Sequence, residues 1–498
     1  MKIFDAHTTK EVDRLTIERQ MIESVDLMER AAFEVFLWLV RRFGYDQRTF
    51  HVFCGVGNNG GDGLAVARML HKSGFLVAVY KVAFSSQKSN DYQINELRLQ
   101  EVGVDIISLQ EHFEFPNIGK QDVIIDAIFG IGLTREPATW IQQLIQSINE
   151  SDNTVVAIDV PSGLFLEQPT SHAVQADVVL TFEVPKLAFF LPDNQNYIQS
   201  FELLKIDWDQ DALNEANSII TYNDLTSIMV LYRPVPRFAH KGTQGHAVII
   251  GGSYGKMGAV VLASKATLRA GCGLSTVFIP KCGYEILQST VPEVMVITDD
   301  EEQQISSIHL DFIPNAIGIG MGMGQKPETV TAFEYFLKHN SVPLVIDADG
   351  LNILASSPEL HQNIPKGSIL TPHPKELERL IGKWTNDFEK LEKAKAFSKT
   401  YHVIMVLKDA YTFIIDGEYL YVNSSGNQAL ATGGSGDVLA GILTGLLAQG
   451  YDALAAAQLG VFLHGRTAEL ALEDMNHESF LASDIIHFLG KAFKELQA

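Results

Sequence analysis

The feature of this sequence that most constrains its fold is a repeating unit: a short apolar run rich in β-branched residues, then a glycine-rich turn, then a helical pattern. The run Phe50-His51-Val52-Phe53-Cys54, for example, leads through a glycine-rich stretch into the amphipathic segment 64–71. Strands that alternate with helices form parallel sheets with helices packed on both faces. The sequence therefore predicts an α/β protein built from doubly wound sheets.

The repeating unit occurs in two series. In the first, long helices over 8–42 precede strands at 50–54, 75–81, 122–128, 154–160 and 176–182. An acidic, turn-rich and poorly periodic stretch, 207–223, then interrupts the pattern and is the candidate linker. The second series has strands at 246–251, 275–280, 316–320, 343–347, 368–370 and 403–407, a hairpin of 411–415 with 419–423, and helices at 258–270, 436–447 and 453–472. Because 498 residues exceed the usual size of one core, we predict two domains, 1–212 and 220–498.

The composition excludes several classes of function. The chain carries 38 Lys and Arg against 60 Asp and Glu, a formal charge of −22, whereas nucleic-acid binding depends on clustered basic residues. Its three cysteines include no C-x-x-C pair, which excludes a disulfide scaffold and a cysteine zinc site and is typical of a reducing compartment. The first residues lack the apolar core of a signal peptide, and no apolar run approaches the ~18–20 residues that cross a bilayer. We expect a cytoplasmic protein that binds neither nucleic acid nor membranes.

The stretch 55–63 follows a predicted strand, opens a predicted helix and contains the G-x-G-x-x-G pattern. A dinucleotide-binding unit places an acidic residue about 20 positions later, but the next strand ends at Lys81, which disfavours a standard NAD-dependent dehydrogenase. Backbone amides of the stretch can bind a phosphate at the helix N-terminus, and Asn58, Asn59 and Asp62 add side-chain oxygens. The alternative is a tight glycine turn with capping Asn and Asp residues.

Two more predicted strands end in acidic residues, Asp126 and Asp159, and Ser162 follows the second of them. Ligands of open α/β sheets bind beyond the carboxyl ends of the strands, so these loops should converge with the stretch 55–63. Oxygen donors such as Asn59, Asp126 and Ser162 suit a hard cation and not zinc. An isolated Asp after a strand is also a common cap or turn residue, which is the structural alternative.

In the second series, Thr432-Gly433-Gly434-Ser435-Gly436-Asp437 leads directly into a predicted helix. Free amides at that N-terminus can bind a phosphoryl group in transfer, although the chain contains no P-loop pattern G-x-x-x-x-G-K-[ST]. A carboxylate beside phosphates repels them, a cost that is explained if Asp437 accepts the proton of an attacking hydroxyl. The alternative is a capping Asp after flexible glycines.

Three other strand ends carry polar residues. The run Lys408-Asp409-Ala410-Tyr411-Thr412 precedes the hairpin, where it can hold a nucleotide. His373 lies between two prolines, which makes it a better ligand candidate than most single histidines, although a structural role is the ordinary alternative. Asp347 and Asp349 can serve Mg²⁺ or cap a helix.

The segments 58–63, 126–132 and 159–163 resemble the NAD(P)H-hydrate epimerase family, and 6–13 and 28–32 also match its pattern. The resemblance covers about residues 1–210. It implies a Rossmann-like fold, a potassium site at Asn59, Asp126 and Ser162, and substrate contacts from Asn58, Asn59, Gly60, Gly61, Asp62, Gly130, Ile131, Gly132, Leu133, Thr134, Arg135, Glu136 and Asp159.

The strand-end segments of the second series resemble the ribokinase-like superfamily and, within it, the NAD(P)H-hydrate dehydratase family. The resemblance covers about residues 220–498 and starts with His240-Lys241-Gly242. It implies Mg²⁺, nucleotide contacts at Lys408, Asp409, Ala410, Tyr411, Thr412 and Gly436, and hydrate contacts at Ala259, Gly322, His373 and Asp437. The dehydratase pattern usually has Gly in place of Asp409 and Asn in place of Thr371, and a carboxylate at position 409 bears on nucleotide affinity.

Both resemblances imply repair of hydrated NADH and NADPH, the compounds NADHX and NADPHX. The first domain would interconvert the R and S epimers at C6, with Asp159 as proton donor and acceptor. The second would dehydrate the S epimer at the expense of ADP, with Asp437 as the base, giving NAD(P)H, AMP and phosphate. The alternatives are a vitamin or sugar kinase for the second domain and a non-catalytic binding module for the first. The families favour ADP as the nucleotide and imply a homotetramer.

Overall fold

The computed structural model describes residues 1–44 and 47–497. They form two compact units, one of Lys2–Ser218 and one that starts at Ile219 and also includes Met1. Within the described residues, no helix combines the length and the apolar character needed to span a membrane.

The first unit contains a two-residue strand, β1 (Lys2–Ile3), and seven longer strands: β2 (Thr49–Cys54), β3 (Leu76–Val82), β4 (Ile106–Leu109), β5 (Val123–Ala127), β6 (Thr154–Ile158), β7 (Val178–Phe182) and β8 (Phe201–Leu204). The seven strands are all parallel, in the order β4-β3-β2-β5-β6-β7-β8. The helices are α1 (Ala6–Gln20), α2 (Ser24–Phe43), α3 (Asn58–Lys72), α4 (Asn90–Glu101), α5 (Thr139–Asn149) and α6 (Gln210–Glu215). This order places the carboxyl ends of β2, β5, β6 and β7 side by side at one edge of the sheet.

The second unit contains the strands β9 (Ile220–Asn223), β10 (His246–Ile250), β11 (Leu274–Ile279), β12 (Met295–Thr298), β13 (Ala316–Ile319), β14 (Leu344–Ile346), β15 (Ile369–Leu370), β16 (Ile404–Leu407), β17 (Phe413–Asp416) and β18 (Tyr419–Asn423). They lie in the order β9-β18-β17-β16-β15-β14-β13-β10-β11-β12. Strands β10 to β16 are parallel to their neighbours within that set, and β17 is antiparallel to β16 and β18. The carboxyl ends of β10, β13, β14, β15 and β16 therefore share one edge.

The helices of the second unit are α7 (Leu225–Leu231), α8 (Met257–Arg269), α9 (Tyr284–Thr290), α10 (Pro327–His339), α11 (Asp349–Ser356), α12 (Pro374–Ile381), α13 (Asp387–Tyr401), α14 (Ser435–Ala448), α15 (Ala453–Ala471) and α16 (Ala482–Glu495). Helix α14 is buried along almost its whole length. A Cβ atom at Gly441 would lie 2.2 Å from the carbonyl oxygen of Ala263, so this glycine lets α14 pack directly on α8. That packing fixes the position of the N-terminus of α14.

The predicted α/β class with two doubly wound sheets is confirmed, and the predicted strands are present with ends that differ by at most two residues. Three differences are informative. The helix predicted at 64–71 begins six residues earlier, at Asn58, because the glycine-rich stretch itself forms its first turn. The candidate linker 207–223 includes the boundary between the units, but it is not irregular, since it contains α6 and β9. The strands β4, β8 and β12 were not predicted because each is a short edge strand with few fully buried residues.

Candidate active sites

A cavity of about 510 Å³ lies at the carboxyl edge of the first unit's sheet. Segments that follow β2, β5, β6 and β7 line it, together with helices α1 and α2. Its polar lining comes from Lys10, Asp13, Asn58, Asn59, Asp62, Asp91, the loop 130–135, Asp159 and Lys186. A cavity of this volume accommodates a small organic ligand or one half of a dinucleotide.

The glycine-rich stretch forms the first turn of α3. Asn58 is the first residue of that helix, and Asn58, Asn59 and Asp62 all line the cavity. Gly60 faces the end of β2 instead, where a Cβ atom would lie only 1.9 Å from the carbonyl oxygen of Gly55. The first amides of a helix have no partner within it, so the start of α3 beside the cavity offers backbone donors to an anionic ligand.

Asp159 follows β6 with a φ of 62°, in the left-handed region that few residues other than glycine adopt. Its Oδ1 atom lies 2.9 Å from Lys186 Nζ and accepts a hydrogen bond from Thr181 Oγ1 at 3.1 Å. Lys186 is fully buried, and it also donates to Thr181 Oγ1 at 2.7 Å and to the carbonyl oxygen of Val184 at 3.1 Å. These contacts hold the Asp159 carboxylate at the cavity wall and compensate its charge.

Three other carboxyl groups line the same cavity, Asp13 of α1, Asp62 of α3 and Asp91 of α4. Burial raises the pKa of Asp13 to about 6, with a contribution from the charge of Asp159, although Trp208 Nε1 donates a hydrogen bond to Asp13 Oδ1 at 2.8 Å. Burial also raises the pKa of Asp62 well above its usual value, and the charges of Asp159, Asp13 and Asp91 add to the rise. Carboxyl groups in such unequal environments are typical of acid–base catalytic sites.

The predicted cation ligands Asn59, Asp126 and Ser162 form one buried cluster. Ser162 donates to the Asp126 carboxylate through its amide at 2.7 Å and its hydroxyl at 2.5 Å. Phe129 joins them to Asn59, because its amide donates to Ser162 Oγ at 2.8 Å and its carbonyl oxygen accepts from Asn59 Nδ2 at 2.9 Å. Burial raises the pKa of Asp126 to about 6. Across 1–44 and 47–497, no three His, Cys, Asp or Glu side chains are grouped as metal ligands.

The remaining predicted contacts of the first unit fall into two groups. Residues 130–135 line the cavity, whereas Glu136 lies outside its lining and accepts a hydrogen bond from Ser171 Oγ at 2.7 Å. Gly60 and Gly61 also lie outside the lining, and a Cβ atom at Gly61 would meet Met28 Sδ at 2.8 Å. These two glycines serve the packing of α3.

Several cavity residues were not predicted from the sequence, namely Lys10, Asp13, Asp91, Lys186 and Trp208. Lys186 carried a usable signal, because it is the one charged residue in the run 184–191 and a charge in an apolar run must find a partner. Asp13 carried none, because it lies on an amphipathic helix among other charged residues.

In the second unit, α14 begins at Ser435 after Gly434, whose φ of 90° favours glycine, and Asp437 lies in the first turn. Burial raises the pKa of Asp437 to about 7, and the charges of Asp347 and Asp349 add to the rise while Lys408 opposes it. A carboxyl group that is part ionised near neutral pH is well suited to accept a proton.

Lys408 lies beside the start of α14. Its Nζ atom is 2.8 Å from Asp347 Oδ1, which also accepts a hydrogen bond from Thr371 Oγ1 at 2.8 Å. A Cβ atom at Gly436 would lie 3.3 Å from Lys408 Nζ and 3.6 Å from Asp347 Oδ2. The predicted nucleotide residues Lys408 and Gly436 are therefore adjacent, and the unusual Thr371 orients Asp347.

The other unusual residue, Asp409, is paired with a buried lysine. Lys390 Nζ lies 3.7 Å from Asp409 Oδ2 and 2.5 Å from Asp387 Oδ1. The amide of Ala410 donates a hydrogen bond to Asp409 Oδ1 at 2.9 Å. The amide of Asn423, on the other strand of the hairpin, donates to the carbonyl oxygen of Thr412 at 3.0 Å. Lys390 thus offsets part of the negative charge at position 409, while burial raises the pKa of the neighbouring Tyr411.

His373 caps α12. Its Nδ1 atom accepts hydrogen bonds from the amides of Lys375 at 3.1 Å and Glu376 at 3.3 Å, and Glu376 Oε2 accepts from the His373 amide at 2.9 Å. His373 therefore has a structural role as a helix cap. Yet 47% of its side chain stays exposed and available to a ligand.

The predicted hydrate contacts Ala259 and Gly322 are neighbours, since a Cβ atom at Gly322 would lie 3.2 Å from that of Ala259. The loop that carries Gly322 is tied to Asp349, whose carboxylate accepts from the amide of Gly324 at 2.8 Å and from Gln325 Nε2 at 2.9 Å. Both oxygens of Asp349 are therefore engaged, which makes Asp347 Oδ2 the better candidate for a divalent cation.

Comparison with known proteins finds a family match in each of the two units. Residues 24–188 match the family of the YjeF-related protein N-terminus, and residues 247–490 match the NAD(P)H-hydrate dehydratase family. The chain is 33% identical to the bifunctional NAD(P)H-hydrate repair enzyme of Moorella thermoacetica, over 100% of this chain and 97% of that protein. It is 32% identical to the protein of the same name from Coxiella burnetii, over 98% of each.

Among solved structures, the chain is similar to a ribokinase-like superfamily protein from Enterococcus faecalis. The TM-score is 0.50 and the identity 24%, over 57% of this chain and 98% of that one. The likeness confirms the ribokinase-like fold predicted for the second series of strands.

Proposed function

The chain belongs to the family of bifunctional NAD(P)H-hydrate repair enzymes, and we propose that its two domains, 1–212 and 220–498, carry out two successive repair steps. The first domain interconverts the R and S epimers of NADHX and NADPHX. The second dehydrates the S epimer with ADP and gives NAD(P)H, AMP and phosphate. The observation that carries the proposal is that each unit has its own aspartate-centred site, a cavity around Asp159 in one and a helix N-terminus with Asp437 in the other.

Epimerisation follows from the chemistry of the hydrate. The hydroxyl is on C6 of the nicotinamide ring, next to N1, whose lone pair can displace it so that C6 loses its configuration. Addition of water then gives either epimer. Asp159 at the cavity wall donates and accepts protons in this reaction, while Asn58, Asp62 and the loop 130–135 bind the substrate.

A potassium ion at Asn59, Asp126 and Ser162 fits the donors of the first unit. They are oxygen atoms with a single carboxylate, a set too poor in charge for the octahedral demands of Mg²⁺. The groups that contact Asp126 are neutral donors, and its raised pKa reflects the cost of a buried charge. When bound, K⁺ supplies positive charge that offsets this carboxylate.

Dehydration begins with phosphoryl transfer. Asp437 accepts the proton of the C6 hydroxyl group. The oxygen of that hydroxyl group bonds to the terminal phosphorus of ADP, and AMP leaves. The amides at the start of α14 and the Lys408 ammonium stabilise the developing negative charge. Phosphate then departs from C6 with the help of the N1 lone pair, and transfer of a C5 proton to water restores the dihydronicotinamide. Asp347 would hold the Mg²⁺ that arrives with the nucleotide, and this ion would shield the phosphate charge.

The test is to add separate R and S epimers of NADHX to the protein and to follow the dihydronicotinamide absorbance band. With ADP, both epimers should be restored and free phosphate released, and ATP should support slower turnover. A phosphorylated product that accumulates without free phosphate would indicate a kinase instead. Failure to consume the R epimer would indicate that the first domain only binds. We propose further that the enzyme acts in the cytoplasm as a homotetramer, and light scattering measures its assembly.

A further inference from the structure

Inversion at C6 needs protons on both faces of the nicotinamide ring. The hydroxyl must leave from one face and water must add to the other, so one group gives a proton while another takes one. Asp159 can fill one of these roles. We propose that Asp13 fills the other, as a second catalytic carboxyl group of the epimerisation site. This inference rests on the proposed function and assigns a residue to it.

The two carboxyl groups reach the cavity from different elements. Asp13 projects from α1, whereas Asp159 follows β6, and both line the cavity. Trp208 Nε1 donates to Asp13 Oδ1 at 2.8 Å and so fixes the orientation of that group. Both carboxyl groups therefore lie on the wall of the same cavity, where a bound ring can meet both.

The partners of the two groups differ, and the difference assigns the roles. Asp159 has a cation at 2.9 Å, the ammonium of Lys186, which compensates the charge of its carboxylate. Asp13 has the neutral indole of Trp208, and burial raises its pKa to about 6, so it holds a proton to higher pH than an ordinary Asp. The other charged groups that face the cavity are Lys10, Asp62, Asp91 and Arg135.

Asp13 donates its proton to the C6 hydroxyl, the C6–O bond breaks, water departs and the N1 lone pair forms a double bond to C6. A water molecule adds to the opposite face of C6, the N1–C6 double bond returns its electron pair to N1, and Asp159 takes the proton released. Exchange with solvent then returns both carboxyl groups to their starting states.

The test uses the full chain and Asp13→Asn, which keeps the volume of the side chain and can still accept the indole hydrogen bond. We expect epimerisation to fall by about 10²–10⁴-fold, the usual worth of a general acid, with dehydration of the S epimer unchanged. Glu11→Gln, an exposed carboxylate on the same helix, is the matched control and should leave epimerisation unchanged.

A pH profile separates a catalytic from a structural role. In the unmodified protein, epimerisation should decline as pH rises above about 6, where Asp13 loses its proton. Trp208→Phe removes a hydrogen bond that lowers the pKa of Asp13, so the decline should move to higher pH.

An Asp13→Asn variant that keeps most of its epimerisation, or a Trp208→Phe profile that does not move, would overturn the assignment. The assignment would also be overturned if Asp62→Asn, and not Asp13→Asn, removed the decline of epimerisation above pH ~6, because Asp62 would then be the acid. An unmodified protein that never epimerises NADHX overturns the proposed function itself, a result distinct from these.

Discussion

Asp159 and Asp437 are the two aspartates at the centre of the two sites, and their surroundings are opposite. Asp159 has a buried lysine at 2.9 Å and a backbone in the left-handed region. Asp437 lies in the first turn of a buried helix, where burial and, to a smaller extent, the negative charge of Asp347 raise its pKa to about 7. One site compensates the charge of its carboxylate with a cation, and the other leaves its carboxyl group poised to bind a proton.

This difference follows from the ligands that the sites are proposed to take. The dehydration site must admit the phosphates of a nucleotide, so its positive field comes from backbone amides and Lys408, and the raised pKa of Asp437 leaves the base only partly ionised near neutral pH. The epimerisation site handles a ring that carries no phosphate at the reacting centre. An ion pair such as that of Lys186 with Asp159 can therefore lie against the substrate there.

The largest expected effect is that of Asp437→Asn on dehydration. Asn keeps the side-chain volume and can cap the helix, but it cannot accept the hydroxyl proton, so turnover of the S epimer should fall by about 10²–10⁴-fold. Removal of a negative charge should leave ADP affinity equal or tighter. Hydrate turnover, nucleotide affinity and Tm should be measured on one preparation.

The pH dependence of dehydration is the control for that variant. In the unmodified protein the base must be ionised, so turnover should fall as pH drops through about 7. The residual activity of Asp437→Asn should lack this fall. If the variant keeps most of its turnover and the same profile, Asp437 is only a cap.

The second expected effect concerns Lys186→Met, which removes the cation and keeps an apolar side chain of similar length. Loss of one partner of a buried ion pair typically costs about 3–5 kcal/mol, so the Tm should fall, and epimerisation should fall by at least ~10-fold. Dehydration should be retained. Lys205→Met is the control, because Lys205 is 62% exposed in its pair with Glu183. Equal losses in both activities would show that the two sites do not fold independently.

The third effect concerns the cation cluster and Asp126→Asn. The pKa of Asp126 is raised in the folded state to about 6, so its contribution to stability is present below pH ~4 and is lost as pH rises through about 6. The free energy of unfolding lost in this way is on the order of 3 kcal/mol, and we expect bound K⁺ to restore that stability. We therefore expect K⁺ to raise the Tm above pH 6 relative to a large organic cation.

The Asp126→Asn variant should lose this dependence on K⁺ and epimerise several-fold more slowly while it still dehydrates the S epimer. A K⁺ effect that survives in the variant would contradict the site.

The sequence predicts those parts of the fold and sites that depend on local pattern. Alternating strands and helices gave the α/β class, and the rule that ligands bind beyond the carboxyl ends of strands brought Asn59, Asp126 and Ser162 together correctly. The helix α3 was predicted to start too late because glycine has low helix propensity, and here the close approach to Gly55 outweighs it.

The residues that could not be predicted depend on tertiary contacts. Asp13 reaches the cavity from a helix that precedes the sheet, and Trp208 reaches it from the stretch taken as a linker. Neither lies at the end of a strand, so the rule for strand ends does not find them. Contact between α1 and the stretch that carries Trp208, seen in the hydrogen bond from Trp208 Nε1 to Asp13 Oδ1, brings these distant residues together at the cavity.

The smallest expected effect is that of His373→Asn, which separates the two roles of this residue in the second site. Asn is a good N-cap, so it should retain the hydrogen bonds to the amides of α12, and the Tm should change by no more than the equivalent of ~0.5 kcal/mol. The exposed part of the imidazole is lost, so the KM for the S epimer should rise a few-fold with kcat nearly unchanged, as for a group that binds ground state and transition state alike. His373→Ala is the contrasting variant, because it removes the cap as well and should cost about 1 kcal/mol of stability. If KM is the same in the Asn variant and the unmodified protein, His373 is a helix cap and the hydrate is bound by other residues.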